Sequence, residues 1–202
     1  MKLYKTYNCI TFDQTIQEDF FKFCKEASLQ NDPAAVNMWS DDWPVQSHTL
    51  PYILTNTNRY LSPNGEFFII LDNSKIIGCS GIYLSDFNSQ IALAGCRTWI
   101  NKEYRNKSLP REILLPAQKK WAQDCNASAV GLTFNEYNKN LINTWKRVRL
   151  GEQRSPRESH HLFYSNFNEV DFSVTIQYTK QWVIYEKLDP TFNFDWTSIQ
   201  CK

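Results

Sequence analysis

The 202-residue chain is short of glycine (6), methionine (2) and histidine (3), and neither sign of charge dominates, with Lys+Arg 22 against Asp+Glu 21. Scarce glycine beside 15% aromatic residues excludes collagen-like, low-complexity and disordered classes. A net charge of +1 lacks the basic excess of a dedicated nucleic-acid or membrane-surface binder. No two of the six cysteines form a CxxC pair, and His48, His160 and His161 add no ligand cluster, which argues against a metal site. The opening MKLYKTYNCITFDQ has no apolar leader, and scattered cysteines then read as reduced thiols of a cytoplasmic protein. The longest strongly apolar run, Phe67–Leu71, is far too short to span a bilayer.

What is present suffices for one domain over 1–202. A chain of this length buries roughly 70% of the surface its unfolded form exposes, so it needs neither disulfide nor metal to fold. Leu3–Phe12, rich in β-branched and aromatic residues, predicts a strand. Thr15 with Glu18 has the spacing of a capping box, ahead of a helix to Ser28 carrying Phe20, Phe23, Cys24 and Ala27 on one face. Asp32–Pro33 opens a short helix through Trp39. Leu50, Ile53, Leu54, Thr57 and Leu61 keep helical spacing.

From Glu66 the period changes to that of strands. Two apolar runs flank Asn73–Ser74 as a hairpin, and a third strand covers 90–100. Ser108 to about Cys125 reads as one helix kinked at Pro116, with Ile113, Leu114, Ala117 and Trp121 on its apolar face, in preference to a helix that starts at Pro116 after an irregular Ile113–Leu115. A strand over Ala129–Phe134 follows, then a helix capped by Asn138 and ended by Gly151. Strands at 160–167, 172–178 and 181–188 close the chain, the last two as a hairpin. The unit 90–134 is a βαβ crossover with parallel strands. The class is α/β (mixed α+β): a single mixed, mostly antiparallel sheet of about seven strands with helices on both faces.

One stretch carries chemistry. Between Ile100 and Ile113 a strand ends, a short basic loop follows and a helix begins. Free N–H groups and the helix dipole meet there, and Arg105, Lys107 and Arg111 add positive charge, an arrangement suited to phosphate. The alternative is a solvated basic turn.

This segment resembles the central motif of the GNAT-type N-acetyltransferases, roughly V-x-P-x-[YF]-[RQ]-x-x-G-x-[GA]-x-x-L-L. Ile100 stands at the valine, Tyr104 at the aromatic, Arg105 at the Arg/Gln, Ser108 and Pro110 at the two small positions, and Ile113 and Leu114 at the paired leucines. Asn138, Leu141 and Trp145 occupy a downstream N-x-x-A-x-x-x-Y pattern. The resemblance spans about 67–188. It implies a GNAT-like fold and acetyl-CoA as cosubstrate, with no metal. The pyrophosphate would lie on loop amides, the pantetheine arm along the preceding strand, and a small-molecule or peptide amine would attack the thioester directly. The cofactor-binding set it implies is Trp99, Ile100, Arg105, Asn106, Lys107, Ser108, Leu109, Pro110, Arg111 and Asn138.

The sequence departs from that pattern at three places. Ser108 replaces a glycine at the phosphate, Pro110 removes a donor, and Trp145 stands where a tyrosine acid is usual. An indole cannot deliver a proton at neutral pH; Tyr137 is the candidate substitute acid, the alternative being a packed or surface aromatic. Strand 90–100 has no carboxylate, which leaves Glu136 or Asp86 as base, or a chain of waters. Asp41–Asp42 could attract a cationic substrate, or form a solvated turn. The basic run Lys146, Arg147, Arg149, Arg154 and Arg157 is a solvated helix end or a contact for an acidic group. The leading expectation is N-acetyl transfer from acetyl-CoA. The alternatives are a catalytically inactive GNAT-like CoA-binding or interaction protein and, weakest on charge grounds, a nucleic-acid module.

Overall fold

The computed structural model describes residues 7–30, 50–135, 158–167 and 177–194. Among them are seven strands: β1 (Asn8–Thr11), β2 (Gly65–Asp72), β3 (Lys75–Leu84), β4 (Ile91–Ile100), β5 (Ala129–Asn135), β6 (Glu158–Phe167) and β7 (Gln177–Lys187). Three α-helices accompany them: α1 (Gln17–Ser28), α2 (Leu50–Asn56) and α3 (Leu115–Asp124). The hydrogen-bonded order is β1-β2-β3-β4-β5-β7-β6, antiparallel in every pairing given below except β4 with β5. The chain divides into two compact units, Met1–Tyr83 with Gly95–Trp121 and Leu84–Ala94 with Ala122–Lys202.

In the first unit, alternation along β2 and β3 sorts side chains onto two faces. Phe67 and Ile69, with Cys79 opposite Ile69, meet the apolar stripe of α1 and the buried Leu50, Ile53 and Leu54 of α2. Phe20 is the centre of this core: it is fully buried, with Phe12, Phe67 and Phe23 at centroid distances of 5.5, 5.7 and 6.0 Å. Truncating such a side chain costs about 3–5 kcal/mol. Ser80, opposite Phe68, lies on the other face, where α3 covers it. Helices therefore pack on both faces, as the patterning predicts.

In the second unit, Ile91–Ala94 of β4 pair in parallel with Ala129–Leu132, the register expected of a βαβ crossover. β5 then pairs antiparallel with β7 along its whole length. Phe194 of the tail stacks at 5.8 Å on Phe87, and Phe192 beside it is buried.

Four expectations are corrected. The first helix has no side-chain cap of its own and is entered through a 3-10 turn capped by Asp13, not Thr15. Asp13 is extended, its carboxylate accepts from the Thr15 N–H at 2.7 Å and from the Thr15 hydroxyl, and a 3-10 turn (Gln14–Ile16) leads into α1. Those bonds, the side-chain one foremost, hold the Asp13 carboxyl below its ordinary value. The cap is therefore complete at neutral pH and lost as pH falls through that lowered value. Second, α2 ends at Asn56 rather than Leu61. The Thr57 hydroxyl and N–H both bond the Ile53 carbonyl and the Asn56 amide bonds that of Tyr52, so polar side chains close the last turn.

The third concerns the hairpin expected of 172–178 and 181–188: 172–176 lie outside the described residues, and no turn separates Tyr178 from Gln181. Thr179 and Lys180 sit inside the continuous β7, in register with Ser165 and Tyr164 of β6. Nothing between Tyr178 and Gln181 supplies the Gly, Asn or Asp that a tight turn needs. Fourth, the helix after the loop does run unbroken past Pro116, but through a π-turn (Pro110–Leu114), with the Leu115 N–H bonded to the Pro110 carbonyl. Its fully buried positions are Leu114, Leu115, Gln118 and Ala122, while Ile113, Ala117 and Trp121 are half-buried. The expected helices at 33–39 and 138–150, Asp41–Asp42, and the basic run 146–157 lie outside the described residues. No helix among the described residues is long and apolar enough to cross a membrane.

Gly65 opens β2 where no side chain fits. A Cβ there would stand 2.1 Å from the Arg59 carbonyl oxygen and 2.6 Å from that of Ile82, both backbone atoms. Gly65→Ala is expected to cost about 3 kcal/mol in chemical denaturation, the upper range for overpacking. A loss below about 1 kcal/mol would show that these strands shift freely to admit a methyl group.

Candidate active site at the loop between β4 and α3

β4 does not run regularly to its end. Gly95 (φ 73°) and Arg97 (φ 55°) are both left-handed, so the strand carries a bulge around Cys96. The Thr98 hydroxyl donates to the Gly95 carbonyl at 2.7 Å and closes the bulge. Arg97 of the bulge and Arg59, ahead of β2, act on the groups nearby. Burial pushes the Cys96 thiol up to about 12, against the pull of the Arg59 and Arg97 guanidiniums and a bond with Tyr83. Burial likewise holds the Cys79 thiol and the Tyr60 phenol well above their ordinary values. These thiols are protonated at neutral pH and are not nucleophiles there.

After Ile100 the chain turns. The Asn101 N–H bonds the Ile77 carbonyl at 2.9 Å, and its side chain caps a 3-10 turn (Lys102–Tyr104). Three side chains then anchor the turn. The Tyr104 hydroxyl donates to the buried carboxylate of Asp72 at 2.9 Å. The Lys102 ammonium donates to the Gln30 carbonyl just past the end of α1 at 2.5 Å, where the helix dipole favours a cation. The Arg105 Nε donates to the Ile100 carbonyl at 2.9 Å while its guanidinium lies 4.5 Å from the Trp99 ring centroid.

The next residues form the loop proper. Asn106 (φ 63°) and Ser108 (φ 57°) are left-handed, and Leu109 is right-handed helical (φ −54°, ψ −42°). Left- and right-handed residues in succession point their N–H groups into one concavity, which suits an anion. Among the described residues no hydrogen bond engages the N–H of Asn106, Lys107, Ser108 or Leu109. The Ser108 carbonyl accepts from the Arg111 and Glu112 N–H groups and starts the helix. Pro110, with no N–H, stands in the first turn.

The expected binding residues divide by place. Asn106, Lys107 and Ser108 are exposed, with the Lys107 ammonium 4.6 Å from the Tyr104 ring centroid. Trp99, Ile100 and Leu109 are buried and serve as footing. Arg111 is exposed and ion-paired with its neighbour Glu112. Asp86 is exposed in the turn after β3. Asn138, Glu136, Tyr137 and Trp145 lie outside the described residues. Sequence reading passed over Asp72, Thr98 and Gln118. The one signal for the bulge was Gly95, an isolated glycine within a strand.

The residues present suit a pyrophosphate: four successive unengaged N–H groups, of which those of Ser108 and Leu109 belong to a left- and right-handed pair, two cations resting on aromatic rings beside them, and a helix N-terminus behind. The model of the acetyltransferase (GNAT) family matches residues 33–149. No curated protein matches the sequence. Among solved structures, the GNAT-family acetyltransferase of Staphylococcus aureus Mu50 has 16% identity and a TM-score of 0.56, covering 91% of this chain and 100% of its own. yncA from Salmonella typhimurium, solved with its cofactor acetyl-CoA, has 14% identity and a TM-score of 0.58, covering 94% and 98%. The ribosomal-protein-S18-alanine N-acetyltransferase of Escherichia coli has 11% identity and a TM-score of 0.56, covering 94% and 100%. These likenesses carry the fold, and the family match takes in more than half of the chain, including the loop from Asn101 to Leu109. The chain belongs to the GNAT family of acetyltransferases.

Proposed function

We propose that this chain transfers an acetyl group from acetyl-CoA to the amine of a small molecule or peptide, with the pyrophosphate held on the N–H groups of 106–109. The observation that carries the reading is that run of donors, lying where the family motif lies. Cys9, Cys24 and Cys79 are free thiols, the state of a reducing compartment, and we place the reaction in the cytoplasm.

Acetyl-CoA supplies an activated acyl group, which passes to the amine nitrogen as the C–N bond forms and the C–S bond breaks. One proton leaves the nitrogen and one reaches the thiolate. The protonated Cys79 and Cys96 favour direct attack over an acyl-cysteine relay. An ordinary alkyl amine is only about 0.04% neutral at pH 7, a handicap of roughly 4.6 kcal/mol that a base must relieve. We assign that role to Glu136 or to water, and the acid role to Tyr137, with Trp145 lining the acyl site. Pro110 and Trp145 favour a second reading, in which CoA is bound but not turned over. Acetyl-CoA assays across an amine panel separate the two.

Three outcomes are expected. In calorimetry CoA binds, and Arg105→Ala weakens it at least several-fold. No heat and no thermal shift at millimolar CoA would overturn the reading. Pro110→Ala restores one donor beside the concavity and is expected to tighten CoA by about tenfold, from roughly 1.5 kcal/mol for a charge-assisted bond. An unchanged Kd in the folded variant would mean that the phosphate does not reach the first turn of the helix. Trp145→Tyr is expected to raise turnover with little change in CoA affinity. A lowered melting temperature without kinetic gain would make Trp145 a packing residue and leave the acid to Tyr137 or solvent.

A further inference from the structure

A buried polar chain joins the two elements that carry the ends of the anion loop. Gln118, on the inner face of α3, is 1% exposed. Its Nε2 donates to the Ser80 hydroxyl at 2.9 Å and to the Gly81 carbonyl at 2.9 Å. A carbonyl only accepts, so this contact fixes which end of the amide faces the sheet. The Thr98 hydrogen goes to the Gly95 carbonyl at 2.7 Å. The Ser80 hydroxyl must therefore donate across its 2.7 Å contact with Thr98. The direction of every bond is thus determined, from the helix amide through serine and threonine to the bulge carbonyl.

Apolar residues alone would hold α3 on the sheet, and a buried amide has to be fully matched to be tolerated there. What the chain adds is position. Thr98 stands three residues before Asn101, where β4 enters the loop. Gln118 stands on the helix by which the chain leaves it. The π-turn sets the helical phase that turns Gln118, rather than Ala117, into the sheet.

We propose that Gln118 is a positioning residue which, through Ser80 and Thr98, sets the span between the two ends of loop 101–109 and so the shape of its N–H concavity. This deepens, and rests on, the reading of that loop as the CoA pyrophosphate site.

The test uses the full chain with Gln118→Met, Thr98→Val and the double variant. Thr98→Val keeps the side-chain shape and removes only the hydroxyl, so it serves if Gln118→Met does not fold. Each single change is expected to raise the CoA Kd and the acetyl-CoA KM at least fivefold, with kcat altered less than twofold. The double variant is expected to lose no more than the larger single, because both cut one chain of bonds. In amide NMR spectra, Asn106–Leu109 are expected to shift together in both singles. A CoA Kd within twofold of the parent in folded variants overturns the proposal, as do losses that multiply in the double variant. If the parent binds no CoA, the acetyl-CoA reading falls, and the spectra alone decide the positioning role. Loop amides that stay in place in both variants end it.

Discussion

The constraint on which the site depends is that the chain must reverse between Ile100 and Leu109 while leaving four successive N–H groups without a partner. Two left-handed residues achieve the reversal, and neither is glycine. Asparagine tolerates that region better than most residues, whereas serine at 108 bears a cost of about 1–2 kcal/mol. Such a loop persists only where its surroundings over-determine it. Here the entry to the loop is held by Asn101 on Ile77, Tyr104 on Asp72, Lys102 on the Gln30 carbonyl and Arg105 on Ile100 and Trp99. The loop is free to offer its amides because nearly every residue before it is tied.

The helix beyond the loop answers to the same constraint. Leu109 and Leu114 are both buried, five residues apart. In a regular α-helix that spacing would set them about 140° apart at 100° per residue. A π-turn between them brings both onto one face. It also widens the turn just before Pro116, whose ring would otherwise meet the carbonyl four residues back. One irregularity thus lets an apolar footing for the loop, a mid-helix proline and a buried glutamine share a single helix.

Much of this was legible from residue pattern. The β2–β3 hairpin, the crossover from β4 to β5, the buried stripe of α1 and the basic loop at the helix start all follow from period and turn chemistry. The failures have physical causes. Asp13 outcompetes Thr15 as cap because its carboxylate takes both of that threonine's hydrogens. The face of α3 is displaced because a π-turn shifts phase without leaving a mark in composition. Gln118 was overlooked because periodicity arguments count apolar residues, and a buried amide is visible only once Ser80, Gly81 and Thr98 surround it. Asp72 drew no notice at the end of its apolar run, and only Tyr104, thirty-two residues on, makes it part of the loop.

The departures from the family motif can be weighed in the same terms. Proline in the first turn fixes φ near −65° and removes freedom from the unfolded chain, a gain of about 0.4–1 kcal/mol. The donor it lacks is worth about 1.5–3 kcal/mol to an anion. That gain belongs to folding and does not restore the missing bond, so on the proposed reading charge would have to supply it. Arg105 and Lys107 are suited to that task because both are already docked on aromatic rings, Trp99 and Tyr104. A docked cation gives up little side-chain entropy when the phosphate arrives. The tryptophan and tyrosine beneath these cations hold positive charge in place beside the loop's unengaged N–H groups, so that on the proposed reading charge and backbone would meet the anion together.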